Sequence, residues 1–218
     1  MCPPTISPMK LESLKNTPDR AGRYWVTLDN GERLGLYRQT VEDFALYPGK
    51  ELTEEEFEAL EKAAGEMSAK MRAVRIVSAA SVSRKDLRQR LVRKGEDPDQ
   101  ADAAVKWMED MGLVNDRDTA LQVVRSCIAK GYGLSRARQA LYEKRIPKEF
   151  WEEALADYPD QSEKMERFLR SRLDADSDQR DVKRAIDALL RRGHSYSDIR
   201  RVLNDLRFDA EEVEFEDF

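Results

Sequence analysis

The sequence predicts a mainly α fold: three tandem three-helix repeats in an elongated array, preceded by a small β-hairpin-plus-helix segment. Three observations predict it. Charged residues reach 37% against 40% hydrophobic, with only 10 Gly and 8 Pro in 218 residues, a balance that suits surface-rich helices better than a sandwich or barrel. The β-rich signal is confined to the first forty residues. After Met67 it gives way to a pattern that repeats about every fifty residues.

The N-terminal segment reads as a hairpin. Tyr24-Trp25-Val26-Thr27-Leu28 is β-rich, Asp29-Asn30-Gly31 tolerates positive φ, and Arg33-Leu34-Gly35-Leu36-Tyr37 resumes the alternation. The expected register brings Trp25, Thr27, Leu34 and Leu36 near one another. Because a two-stranded hairpin is marginal in water, Ile6 to Leu14 is expected to add a third short strand. Thr40 to Leu46 reads as a short helix. Thr53-Glu54-Glu55-Glu56 forms a capping box ahead of a helix carrying Phe57, Leu60 and Ala64.

From Met67 onward the chain repeats itself. Leu91-Val92-Arg93-Lys94-Gly95, Leu141-Tyr142-Glu143-Lys144-Arg145 and Leu189-Leu190-Arg191-Arg192-Gly193 align at spacings of 50 and 48 residues. In the same register, Leu87, Ala137 and Ala185 match upstream. Ala101, Trp151 and Ile199 match downstream, followed by Val105, Leu155 and Leu203. Matched positions four apart share a helical face, and that face must bury. Each unit therefore holds a helix ending at a basic residue and Gly (or Arg145), then a helix opened by Pro98, Pro147 or Ser195. A preceding helix completes it, at roughly 68–80, 117–129 and 162–173. The expected boundaries are 1–66 for the extension, 67–112, 113–158 and 159–208 for the repeats, and 209–218 for an acidic tail expected to be disordered. One such unit alone buries too little to offset backbone ordering at about 1–2 kcal/mol per residue, so neighbours are expected to stack.

Charge is uneven along the chain. Residues 67–208 carry 30 basic against 24 acidic side chains, whereas 1–66 carry 8 against 13, and 209–218 carry 6 acids and no base. This excess is too mild to imply DNA binding by composition alone. The repeated corners place Arg88, Arg93, Lys94, Lys144, Arg145, Arg191 and Arg192 where a basic strip could run, with Arg84, Lys85, Arg136 and Arg138 opening the same helices and Lys130 in the turn before the second. The plainer reading of each corner is a cation at a helix C-terminus, worth a few tenths to ~1 kcal/mol. Lys130-Gly131-Tyr132-Gly133 lacks the strand and the Lys-Ser/Thr of a phosphate loop and reads as a turn. Trp107, Tyr132, Phe150 and Trp151 read as packing residues.

Other chemistries lack a constellation. His194 has no second His or Cys nearby, so no metal site is expected; no acid–base or nucleophile arrangement stands out, so neither a cofactor nor an enzyme is expected. Cys2 and Cys127 sit in unrelated contexts and predict no disulfide. With no apolar run near the ~20 residues of a membrane span and no signal peptide, a cytoplasmic, monomeric protein is the default.

Certain motifs together resemble the RecX family: Ser83-Arg84-Lys85-Asp86-Leu87 through Leu91 and Lys94-Gly95; Met111-Gly112-Leu113-Val114-Asn115-Asp116; and Lys130-Gly131-Tyr132-Gly133 through Arg138-Gln139-Ala140-Leu141. The resemblance covers residues 67–208, and residues 5–66, with Gly49-Lys50-Glu51-Leu52, more loosely. Arg145 in place of Gly, a weak third repeat and the acidic tail depart from the family pattern. What the resemblance implies is a regulator that binds RecA and its DNA filament, inhibiting filament extension, strand exchange, ATPase and coprotease activities, with no catalytic residue to carry over. The twelve cations named above become its candidate contacts with RecA, with weak direct DNA contact also possible. The alternatives are a helical nucleic-acid-binding protein acting without RecA, which salt dependence separates, and a scaffold for other proteins.

Overall fold

A computed structural model describes residues 8–174 and 176–206; Cys2, Ile6 and the acidic tail lie outside the described residues. The chain divides into two compact units, Met1–Val114 and Asn115–Phe218.

The first unit opens with an antiparallel sheet in the order β3-β2-β1-β4, formed by β1 (Met9–Leu14), β2 (Arg23–Leu28), β3 (Arg33–Tyr37) and β4 (Glu51–Leu52). The hairpin and the third strand stand where the sequence places them, and Gly31 takes the positive φ of 84° in the turn. The expected register is corrected. Val26 pairs with Leu34 and Tyr24 with Leu36, whereas Trp25 faces Gly35 and Thr27 faces Arg33. A one-residue slip exchanges the faces of a strand, and burial of Val26, Leu28 and Leu36 selects the register observed. Trp25 lies across Gly35 on the outer face, with Arg23 and Arg33 within 5.1 and 5.4 Å of its ring. β4, unread from the sequence, closes the far edge through Met9 and Lys10.

After the short α1 (Arg38–Asp43) comes α2, a 26-residue helix, Glu54–Ala79. Its Thr53 cap is the capping box read from the sequence: Thr53 Oγ1 accepts from Glu56 N at 3.2 Å, and Glu56 Oε2 accepts from Thr53 N at 2.9 Å. Two helices were expected over this stretch, yet one runs through residues 66 and 67. Nothing between Phe57 and Ala79 breaks it; Gly65 is the one weak former and no proline intervenes. The helix serves two cores. Phe57 and Leu60 pack under the sheet, while Ala69 and Ala73 pack against Leu87, Leu91, Ala101, Ala104 and Met108 of α3 (Arg84–Arg93) and α4 (Pro98–Asp110).

The second unit holds two further helix triplets. α5 (Asp116–Ala129), α6 (Leu134–Glu143) and α7 (Trp151–Leu155) surround Ala120, Val124, Leu141, Ile146 and Ala154. α8 (Ser162–Arg170), α9 (Gln179–Arg191) and α10 (Tyr196–Asp205) surround a larger core running from Met165 to Leu203. The third triplet, weakest in sequence, is thus fully packed. α7 is the short member because Pro147 opens a 3₁₀ turn, Lys148–Phe150, ahead of it. That leaves Trp151 and Leu155 half-buried, where the matching Ile199 and Leu203 are fully buried. Trp151 is held by its Nε1, which donates to Ile146 O at 3.0 Å.

The aligned corners share one geometry. Gly95 and Gly193 take φ of 91° and 82°, and Arg145 takes 56°. Each donates its N–H three residues back, and the next residue donates five back: Glu96 to Leu91 O, Ile146 to Leu141 O, His194 to Leu189 O, at 3.0 to 3.2 Å. This is the left-handed helix ending that glycine favours, because a side chain there costs roughly 1–2 kcal/mol. A Cβ at Gly95 meets nothing within 4 Å, but one at Gly193 falls 2.2 Å from Arg136 N. Three substitutions measured by urea unfolding check this account. Gly95→Ala is expected to cost about 1 kcal/mol, Gly193→Ala several times more, and Arg145→Gly nothing or a slight gain; equal losses at Gly95 and Gly193 would contradict it.

Candidate functional site

The twelve candidate cations separate by what holds them. In the first unit, α3 and α4 flank a shallow groove of about 490 Å³ lined by Arg84, Lys85, Arg88, Asp102, Lys106 and Glu109 among others. α3 starts at Arg84 because Ser83 caps it, accepting from Asp86 N at 3.1 Å. Arg84 reaches Glu109 at 2.8 Å, and Arg88 forks onto Asp102, its NH2–Oδ2 distance 3.0 Å. Those pairs lie in solvent and contribute little to stability, but they partly spend the charge. Lys85 and Arg93 are exposed and carry no ion pair among the described residues. Lys94 caps α3, and its carbonyl accepts from Arg72 at 3.0 Å. The same Arg72 meets buried Glu96 at 2.5 Å, with Ser68 Oγ donating to Glu96 at 3.1 Å, so the corner is fastened to α2.

In the second unit the candidates fall around α6 and the start of α10. Arg136 is half-buried and paired with Glu143 at 3.0 Å. Arg192 lies over the Phe168 ring at 4.7 Å, a packing role rather than an outward one. The side chains of Lys130, Arg138 and Arg191 are exposed and make no hydrogen bond or ion pair among the described residues. Lys144 caps α6 and Arg145 takes the left-handed position, each with interactions inside the fold. The Arg192–Gly193 corner does not lie on an open edge as the strip requires. It packs against the Lys130–Gly133 turn, where Gly133 N donates to Arg192 O at 2.9 Å and Ser135 N to Gly193 O at 3.3 Å. A Cβ on Gly133 falls 2.0 Å from Gly193 O, so two glycines are what allow this approach. The turn reading of Lys130-Gly131-Tyr132-Gly133 therefore acquires a purpose: it receives the third triplet.

Beside that contact lies a cleft of about 650 Å³, lined by Leu134, Ser135 and Arg138 of α6, Tyr158 to Gln161 of the connection, and His194, Ser195, Asp198 and Arg201. Arg201 is held by Asp198 at 3.2 Å and Asp160 at 3.8 Å. Hydrogen bonds from Ser162 hold the Asp160 carboxyl below its usual range. Tyr158 donates to Tyr132 O at 2.7 Å, and burial pushes its phenol up to about 12. Two features escaped the sequence reading. Leu134 is 39% exposed and Tyr142 is 72% exposed, and with Arg138 they stand at i, i+8 and i+4 on one face of α6. Tyr142 could have been read from its place one residue past buried Leu141, whereas Leu134 keeps the i, i+3, i+7 phase of Ala137 and Leu141 and gave no such signal. Among the described residues no group of three or more His, Cys, Asp and Glu is placed to hold a metal ion. No helix among them is long and apolar enough to cross a membrane.

His194 is the only histidine in the chain, and its burial at the cleft floor yields a measurable consequence. Its Nε2 lies 3.0 Å from Gly131 O, and since a carbonyl only accepts, Nε2 carries the proton. Desolvation lowers its pKa. The unfolded chain, with an ordinary value near ~6.5, then binds more protons than the folded one below that pH. Stability supplied by neutral His194 is full above pH ~6.5 and is lost as pH falls toward the folded pKa. The unfolding midpoint of the wild type is expected to drop between pH 7 and 5.5, and that of His194→Gln to stay nearly flat across this window. Parallel slopes for the two proteins would refute the assignment.

Comparison with known proteins agrees with this architecture. A family model described as RecX, second three-helix domain, matches residues 115–155. Regulatory protein RecX of Clostridioides difficile (strain 630) is 26% identical over 211 residues, covering 94% of this chain and 98% of that relative. Regulatory protein RecX of Xanthomonas axonopodis pv. citri (strain 306) is 34% identical over 133 residues, 60% of this chain and 80% of the relative. A crystal structure of regulatory protein RecX superposes with a TM-score of 0.59 at 23% identity, covering 90% of this chain and 99% of the other. RecX from Lactobacillus salivarius does so at 0.57 and 23% identity, over 66% and 98%. Both structures share the fold. With 34% identity across 80% of the Xanthomonas protein and the α5–α7 triplet matched by the family's own model, the chain belongs to the RecX family.

Proposed function

We propose that this chain binds RecA on DNA and inhibits its activities: filament extension, strand exchange, ATP hydrolysis and coprotease function. The observation that supports the reading most is the likeness to a regulatory protein RecX along 94% of the chain, which spans the N-terminal sheet as well as the helix triplets. The surface is compatible with it. A protein that holds on through several small contacts gains from linking them, because each contact after the first is intramolecular. The three triplets each expose a second helix carrying cations, and the side chains of Lys85, Arg93, Lys130, Arg138 and Arg191 have no hydrogen-bond or ion-pair partner among the described residues to give up on binding. Such charges act mainly on encounter rate and orientation, while exposed Tyr142 is of the residue type that dominates binding energy. Weak direct DNA contact through the same cations belongs to this proposal.

RecA's DNA-dependent ATP hydrolysis tests it. Addition of the purified chain at stoichiometric or higher amounts is expected to lower hydrolysis several-fold and shorten filaments seen by electron microscopy; unchanged hydrolysis and length would remove the function. Lys85→Glu, Arg93→Glu and Lys130→Glu combined should leave the circular dichroism spectrum intact and weaken inhibition about tenfold. Full inhibition by this folded triple variant would take those cations out of the interface. Binding of the chain to naked DNA, if it drives the effect, should fall steeply between low and moderate salt.

A further inference from the structure

The second and third triplets are built as two bodies. Ala120, Val124, Leu141, Ile146 and Ala154 form one core and the buried residues from Met165 to Leu203 another, and the two share no residue. Hydrogen bonds cross between them. Gly133 N donates to Arg192 O at 2.9 Å, Ser135 N to Gly193 O at 3.3 Å, His194 Nε2 to Gly131 O at 3.0 Å, and Lys164 Nζ to Ile128 O. The first two take the place of a side-chain cap. Ser83 caps α3 and Asp178 caps α9 with their own side chains, whereas Gly133 at the start of α6 has none to offer. The N–H groups that open α6 are satisfied instead by the carbonyls that follow α9, an end-to-end meeting of opposite helix dipoles. The third triplet thus caps a helix of the second.

Such a joint can part without breaking either body. A hydrogen bond lost on opening is exchanged for one with water, so its net contribution is modest. The facing surfaces are already held apart along the cleft of about 650 Å³, with Leu134 and Arg138 on one side and Met165 and Arg201 on the other, so parting uncovers little more of them. The link between the bodies is short. Tyr158 is tied back to the second triplet by its hydroxyl, which donates to Tyr132 O at 2.7 Å, and Gln161 is buried where α8 begins. Pro159 and Asp160 between them are exposed. Motion of one packed body about such a link runs on microseconds to milliseconds.

We propose that α8–α10 swing as one body about Pro159 and Asp160, parting Gly193 from Gly133 and uncapping α6, with the open form populated at about 1%. A chain that follows a helical filament gains from a joint that adjusts the spacing of its triplets; this consequence rests on the function proposed above. Relaxation-dispersion NMR on the full chain reads the opening. Amides of Gly131, Gly133 and Ser135 on one side and of Lys164, Gly193 and His194 on the other are expected to disperse with one shared rate constant, while Leu141 and Ile186 in the two cores stay flat. Gly193→Ala, whose methyl the closed joint does not hold, should move the same amides at least halfway toward their minor-state positions. A lock is available as well. A Cβ at Gly131 falls 3.3 Å from that of Lys164, close to the ~3.8 Å of a disulfide. In the chain with Gly131→Cys, Lys164→Cys, Cys2→Ser and Cys127→Ala, oxidation should abolish the dispersion and reduction restore it. Flat profiles in the wild type, dispersion confined to the first turn of α6 as fraying would give, Gly193→Ala shifts unrelated to the minor state, or dispersion unchanged by oxidation overturns the proposal. In the RecA hydrolysis assay the oxidised chain should inhibit several-fold more weakly than the reduced one, and equal potency would overturn the part the joint plays in inhibition. A wild type that leaves RecA untouched would sink the proposed function, and the NMR result would still decide the joint.

Discussion

The left-handed corner that ends the second helix of each triplet is the constraint on which the helical part of this chain depends. At Gly95, Arg145 and Gly193 the backbone must leave the helix with positive φ so that the following residue can turn inward, and in all three triplets that residue is buried. What goes inward differs: Glu96, Ile146 and His194. The geometry is thus conserved between repeats while the chemistry is not, since a backbone ending fixes where a side chain goes but not what it is. Each polar occupant then needs its own partner, because an unpaired buried charge costs several kcal/mol. Glu96 finds Arg72 and Ser68 on α2, and His194 finds the Gly131 carbonyl on the preceding triplet's turn.

Those partners explain how each unit coheres. In the first, Glu96 ties the α3–α4 corner to a helix whose other half lies under the sheet, so a single helix transmits order between two cores that share no side chain. Arg75 adds to this by donating to Ala21 O at 3.3 Å and to the Tyr37 hydroxyl. In the second unit, His194 and the paired glycines join the triplets through backbone rather than side-chain contact. Lys164 donates to Ile128 O across the same junction. Backbone contact at van der Waals distance tolerates no added atom, which makes Gly133 and Gly193 the least replaceable positions there.

Much of this fold was legible in the sequence, for physical reasons that also mark where legibility ends. The periodic sets Leu87/Ala137/Ala185 and Leu91/Leu141/Leu189 are buried to 2% or less because a repeat in burial must write a repeat in apolarity. The Thr53 capping box and the Gly31 turn were readable because their chemistry is local. The hairpin register was not, since Trp25 is as apolar as Val26 and composition does not say which face a sheet covers. Nor was the joining of two helices into α2: no proline or cap separated them, yet the repeat period suggested a beginning at Met67. β4 is two residues long and exists through its pairing with β1, Met9 with Leu52 and Lys10 with Glu51, a contact between segments far apart in sequence.

The candidate site divides along the same line. Sequence marks a lysine or arginine but not its partner, and partners decide which charges can meet another molecule. Arg84 and Arg88 face acids one helix away on α4, and Arg136 faces Glu143 on its own helix, whereas Arg138, two residues on, pairs with none among the described residues. A strip drawn from sequence alone weights these equally. The fold does not: it spends Arg192 on Phe168, buries the corner beside it, and leaves Arg138 between two exposed apolar side chains at the mouth of a cleft. Leu134 and Tyr142 leave 39% and 72% of their surface in water on a helix that buries Ala137 and Leu141. Their cost in water is compensated when something covers them, and the free arginine between them sets the sign of what does.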